Sequence, residues 1–192
     1  MTKILISEEA FKLYARRGYE ATSMRQIADA VGIEKSSLYG HYTSKSEIFK
    51  EVLLKEFDSI EMHLLDGVIE DDSLMVIVNK VFRNTIKYFA DKEKLLFWKQ
   101  IVLLSAVEAQ NQVCDLVKSV VNSFENKLSF VFSGSAEISK ISKDQQRIMS
   151  IYFLIYMHGF LDWFLMQKEV DDNIINMSIK MFDNIMTASH SI

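Results

Sequence analysis

The 192-residue chain contains no proline, six glycines and one cysteine. Proline breaks helices and punctuates loops, so its absence leaves room for long uninterrupted helices. Cys114 alone cannot close an intrachain disulfide. Without a CxxC pair, neither zinc chelation nor dithiol chemistry has its ligands. A membrane-spanning run is also missing. The most apolar stretch, 148–166, carries Ser150, His158 and Asp162, and a charge facing lipid is costly, so the stretch reads as a buried helix. The amino end, MTKILISEEAFK, places charges where a secretory signal needs an apolar core. This predicts a cytoplasmic protein with no export signal.

The net charge is −4, which does not advertise a polyanionic partner. Its distribution is uneven. Residues 1–50 hold eight Lys and Arg against six Asp and Glu (+2), and the remainder holds 14 against 20 (−6). A mildly basic head on an acidic body fits a chain of which one end meets phosphates. Hydrophobic residues make up 49% and charged residues 25%, so the chain can bury a core large enough to offset the entropy of ordering.

Periodicity near 3.6 runs through the sequence and no segment alternates as a strand does, so the expected fold class is all-α. A first helix spans 2–17, with Ile4, Phe11, Tyr14 and Ala15 on one face and Gly18 as its stop. Ser23 and Gln26 form a capping box that opens a second helix, which ends at Gly32. A short third helix covers 35–42. A second capping box, Ser44 with Glu47, opens a long fourth helix to about 68, striped by Ile48, Phe49, Val52, Leu53, Phe57, Ile60 and Leu64. Further helices are expected at about 73–90, 92–105, 108–132, 144–168 and 172–189, with a loop over 133–143. The domain boundary is placed at 48: an N-terminal three-helix head, 1–48, and a helical body, 49–192.

Two short helices separated by a turn at Gly32 have the spacing of a helix-turn-helix. Ala28 is small where the helices cross, and Ile27, Val31, Ile33 and Leu38 fill the wedge. The second helix then turns Lys35, Ser36, Ser37, Tyr39 and His41 outward, ready for a major groove. The spaced residues Phe11, Ala15, Gly18, Tyr19, Thr22–Ile27, Ala28, Val31–Ile33 and then Ser37, Leu38, Tyr39, His41, Tyr42, Ser44 and Lys45 resemble the TetR family of bacterial transcriptional regulators. The resemblance covers about a quarter of the chain. Gly40 departs from it, removing one possible contact and loosening the recognition helix.

Each residue then takes an expected role. Thr22 and Ser23 lie at a helix N-terminus that aims N–H groups at a phosphate. Arg25 can reach a phosphate or donate twice to a guanine edge. Lys35, Ser36 and Ser37 are the base-reading candidates. Tyr39, His41 and Tyr42 would clamp backbone oxygens, and Lys45 would steady a phosphate. The resemblance assigns backbone clamping to Tyr39 and Lys45. Each has a second reading: Tyr39 as half-core, Tyr42 as packing under the fourth helix, Lys45 and His41 as solvated surface.

In the body, 148–166 is apolar nearly all round and must be covered on every side, by the core and by a second subunit. The resemblance implies a four-helix dimer interface from two C-terminal helices per protomer, with Gly159, Asp162, Trp163 and Phe182 as candidate interface residues. It further implies an apolar effector pocket, for which Phe82, Phe89, Phe97, Trp98, Tyr152, Tyr156 and Phe160 are the candidates, against plain core packing. His158 and Asp162 share a helical face and could meet a ligand, hold a metal or neutralise each other.

The expected partners are a double-stranded DNA operator, a second copy of the chain and a small apolar or aromatic effector, with no membrane and no cofactor. No Ser-His-Asp order, metal spacing or Gly-rich phosphate loop supports an enzyme. The alternative is a helical ligand-binding or scaffolding dimer without operator binding.

Overall fold

The computed structural model describes residues 2–69, 72–105, 112–134, 142–167 and 171–188. Among them every regular element is an α-helix: α1 (Thr2–Arg17), α2 (Met24–Val31), α3 (Lys35–Tyr39), α4 (Lys45–Leu64), α5 (Leu74–Phe89), α6 (Lys92–Ser105), α7 (Gln112–Ser133), α8 (Lys143–Met166) and α9 (Asp172–Ala188). The all-α expectation holds across them. Most of the loop predicted at 133–143 lies outside the described residues, as does the start of the helix predicted from 108.

Local chemistry accounts for several boundaries. The Ser23 hydroxyl accepts the Gln26 N–H while the Gln26 side chain accepts the Ser23 N–H. At the other end of α2, Gly32 adopts φ 75°, a left-handed conformation that costs an L-residue with a Cβ about 1–2 kcal/mol. Ile33 N–H then returns to the Ala28 carbonyl at 3.0 Å, which closes the helix as a Schellman turn. Ser44 also caps, accepting the Glu47 N–H at 3.2 Å, but the Glu47 carboxylate reaches the Thr43 N–H (2.7 Å) and hydroxyl (2.9 Å). The α3 helix is shorter than expected. It stops before Gly40, whose poor helix propensity lets the chain pass into a turn at His41. The α8 helix has a capping box that sequence reading left inside the loop, Ser142 with Gln145.

The chain divides into two compact units: residues up to Ile60 with Ala90–Val121, and Glu61–Phe89 with Asn122 onward. The first unit therefore extends well past the head drawn at residue 48. Its core joins Ile6, Ala10, Tyr14, Ala15, Ile27, Ala28, Leu38, Ile48 and Phe49 to Phe97 and Ile101 of α6 and Val113 and Val117 of α7. Phe97 is fully buried with its ring 5.1 Å from that of Phe11. The apolar face of α1 packs chiefly on α6 and then on α2. Arg16 adds an ion pair to Glu93 at the edge of this contact. One position on α1 is corrected: Ile4 is exposed, and Ile6 and Ala10 share the inner face with Tyr14 and Ala15.

In the second unit α5, α8 and α9 pack around Phe82, Phe153, Phe160 and Phe182. Among the described residues, no helix is long and apolar enough to cross a membrane.

Candidate nucleic-acid interface

The α2 helix holds α3 through the apolar wedge. Ile27, Ala28 and Leu38 are at most 1% exposed, and Val31 and Ile33 close its edges. With Leu38 inward, the 3.6-residue period turns the rest of α3 out. Lys35, Ser36, Ser37 and Tyr39 are all exposed, and His41 follows them in the turn. The Lys35 ammonium lies 5.7 Å from the centre of the Tyr39 ring, one helical turn on, a cation–π contact that orders both side chains on the outer face. Arg25 is also outside, only loosely paired with Asp29 at 3.9 Å. Ser23 is exposed with its hydroxyl engaged in the cap.

Three expected DNA contacts face elsewhere, and each is a correction. Thr22 is 2% exposed and donates its hydroxyl to the Gly18 carbonyl at 2.8 Å. It closes the α1–α2 turn, and the hydroxyl is not offered outward. Tyr42 is also 2% exposed, and its hydroxyl donates to Glu51 at 2.9 Å. Burial first, and then that hydrogen bond to a carboxylate, push its phenol well above the usual range. Lys45 is half-buried. Its ammonium donates to the Tyr19 carbonyl at 2.8 Å and lies 4.0 Å from the centre of the Tyr19 ring, and burial lowers its pKa. Thr22 is turned inward by its own turn, Tyr42 by Glu51 of α4, and Lys45 by the Tyr19 carbonyl after α1. A residue absent from the expected site lies against one of them: Lys3 of α1, whose ammonium lies 5.1 Å from the centre of the Tyr42 ring.

The candidate effector residues fall into separate environments. Phe97 and Trp98 belong to the first unit, where the buried Trp98 Nε1 has no acceptor among the described residues. In the second, Phe82 packs on Phe160 (4.9 Å) and Tyr156 (6.2 Å), while Phe89 stacks edge-on to Tyr88. The Tyr156 hydroxyl donates to the Ser178 carbonyl at 2.8 Å. Tyr152 is a correction: it is 55% exposed and faces out.

Of the interface candidates, Gly159 and Asp162 are exposed, Trp163 is half-buried against Phe160, and Phe182 is a further correction. Phe182 is 3% exposed, stacked on Phe153 and Tyr156 inside the unit. The outer face of α8 instead presents Ile148, Tyr152, Ile155, Gly159, Asp162 and Met166, at steps of three or four residues. The α9 helix in turn exposes Ile174, Met177 and Met181. No group of three or more potential metal ligands is present among the described residues.

Residues 6–52 match the model of bacterial regulatory proteins of the tetR family. The biofilm operon icaADBC negative transcriptional regulator IcaR of Staphylococcus epidermidis is 26% identical over 106 residues, 55% of each chain. The repressor KstR2 of Rhodococcus jostii is 45% identical over 51 residues, 27% of this chain and 25% of that protein. The matched stretches thus span about half the length, or less, of these curated relatives. Solved structures align over nearly the whole chain. AibR, in complex with isovaleryl coenzyme A and operator DNA, has a TM-score of 0.73 at 20% identity, covering 94% of this chain and 97% of that one. KstR2 of Mycobacterium tuberculosis has a TM-score of 0.65 at 16% identity, covering 98% and 92%. A helix-turn-helix head on an all-helical body is the architecture these chains share. Residues 6–52 are thus similar to the N-terminal segment of tetR-family bacterial regulatory proteins, and the rest of the chain shares the fold of the solved structures.

Proposed function

We propose that the protein is a ligand-responsive transcriptional regulator, a repressor, that binds an inverted-repeat DNA operator as a cytoplasmic homodimer. The observation that carries this reading is the outer face of α3, where Lys35, Ser36, Ser37 and Tyr39 are all exposed on a helix clamped by Leu38. A rigid short helix with a basic and hydroxyl-bearing outer row fits the major groove, where hydroxyls read either base edge and Lys reads guanine. Arg25 and Ser23, at the start of α2, are suited to the flanking phosphates. Residues 1–48 form the operator-reading segment, steadied by α6.

The apolar stripe on α8 and α9 supports the homodimer. A row of exposed apolar side chains on one helix face is the kind of surface that marks an interaction site, and a two-fold dimer would use such a face self-complementarily. Gly159 lets a partner helix approach closely. Linking two heads makes the second half-site contact intramolecular, which raises apparent affinity without new contacts. An apolar or aromatic effector entering the body would weaken binding to the extent that it prefers the arrangement of heads that misfits the operator. Phe82, Tyr156 and Phe160, joined by ring contacts at Phe82 in the second unit, are the aromatic side chains such an effector would have to part to enter. AibR is described with an acyl-coenzyme A bound, which supports a ligand-binding body in this architecture.

The test is selection from a random duplex pool by the purified protein. Enrichment of an inverted repeat is expected. A pool that stays random overturns operator binding and leaves the ligand-binding dimer as the alternative.

A further inference from the structure

In the head, most cations are already engaged. Lys12 pairs with Glu9, Arg16 with Glu93 and Arg25 loosely with Asp29, while Lys45 is turned onto Tyr19. Tyr42, which the sequence pattern assigns to backbone clamping, has its hydroxyl on Glu51 and its side chain covered. Of the three clamping candidates at the far end of the recognition helix, Tyr39 and His41 are exposed and Tyr42 alone is withdrawn.

Lys3 lies at that place. It is exposed on the first turn of α1, and its ammonium sits over the Tyr42 ring at 5.1 Å, three residues beyond the end of α3. Lys35 stands at the first residue of α3. The Lys35 ammonium lies over the ring of Tyr39, the last residue of α3, and the Lys3 ammonium over the ring of Tyr42, three residues on. Glu47, at the start of α4, is held below the usual carboxylate range by the Thr43 N–H, then by the Thr43 hydroxyl and, less strongly, by the charge of Lys3. A phosphate approaching this end would meet the Glu47 carboxylate uncompensated if Lys3 were absent.

We propose that Lys3 of α1 is a DNA-phosphate contact, replacing the clamp that Tyr42 cannot supply and offsetting the negative charge of Glu47 where the duplex backbone passes. The inference rests on the operator reading and adds a residue outside the helix-turn-helix to it. The Tyr42 ring serves as the platform: its negative face holds the ammonium outward at modest cost in side-chain entropy. Because the contact is to phosphate, it positions the head and carries no sequence information.

The experiment measures the affinity of the full-length protein for its selected duplex, and for a scrambled duplex, across a salt series. Each neutralised phosphate contributes about 0.9 to the slope of log K against log salt. Lys3→Ala should therefore make the slope shallower by about 1.8 per dimer and weaken binding about ten-fold at 0.15 M salt on both duplexes alike. Lys3→Arg should retain the wild-type slope. Tyr42→Phe, which keeps the ring and loses only the Glu51 bond, should retain it as well. A Lys3→Ala slope equal to wild type, or a loss confined to the selected duplex, overturns the inference while leaving operator binding intact. Absence of any salt-dependent duplex binding by the unmodified protein overturns the operator reading and this inference together.

Discussion

The ammonium of Lys45, the first residue of α4, lies over the Tyr19 ring and donates to the Tyr19 carbonyl at 2.8 Å. It ties the start of the long helix to the turn that ends α1. Tyr14 ties the same two places from beneath, its hydroxyl donating to the Lys45 carbonyl at 3.3 Å. A sequence pattern that places a lysine near phosphate has here produced a brace inside the head. Lys45→Ala removes a charged donor from a partly buried carbonyl and should cost about 1–2 kcal/mol of stability. Urea denaturation checks it. A variant as stable as wild type, with operator affinity alone reduced, would return Lys45 to the phosphate role.

Two substitutions separate backbone strain from packing in the helix-turn-helix. A Cβ at Gly32 would meet nothing within 4 Å, but φ there is +75°. Gly32→Ala should therefore cost about 1 kcal/mol from conformation alone. Gly32→Asn should cost less, since Asn tolerates that region. Ala28 is 1% exposed where α2 meets α3. Ala28→Leu forces the two apart, with an expected loss of about 1–3 kcal/mol and of operator binding. Equal effects of Gly32→Ala and Gly32→Asn in thermal unfolding would contradict the first account.

The dimer prediction rests on α8. Ile155 is 61% exposed in the middle of the apolar stripe, so Ile155→Glu should leave each protomer folded and drive the protein to monomer. Light scattering after size exclusion reads the mass, and circular dichroism reads the helix content. Operator affinity should fall on the order of 100-fold or more as the linkage of the two heads is lost. A variant that remains dimeric locates the interface elsewhere.

Glu47 provides a pH test. Its folded-state pKa lies below the ordinary value, chiefly through the Thr43 N–H. A depressed carboxylate contributes stability that is present above the unfolded pKa, near 4.3, and is lost as pH falls through the lower folded value. Acid unfolding of Glu47→Gln between pH 5 and pH 3 should be less steep than that of the wild type. Superimposable acid curves would mean that the Thr43 contacts do not persist in solution.

What could be read from sequence was what local chemistry decides. Ser23, Gln26 and Gly32 fix α2 through bonds that span at most five residues, and the alternation of Leu38 against its neighbours fixes the outer row of α3. Tyr42 and Lys45 turn inward onto Glu51 and the Tyr19 carbonyl, contacts made only when α4 is in place, whereas Thr22 turns back on Gly18 within its own loop. The α6 helix joins the head by packing as well: Phe97 finds Phe11 across 86 positions of sequence. In α8, apolar residues on all sides leave no periodic signal to say which face is inner. Tyr152, expected inside, is exposed; Phe182 of α9, expected at an interface, is buried against Phe153 and Tyr156.

Hydroxyl-radical footprinting on the selected duplex tests the central claim most directly. Two protected patches should appear, related by two-fold symmetry and centred about one helical turn or a multiple of it apart. Both should weaken together in Lys35→Ala. A single patch, or paired patches that the Lys35→Ala protein reproduces at undiminished affinity, would contradict a duplex read by α3 from each of two subunits.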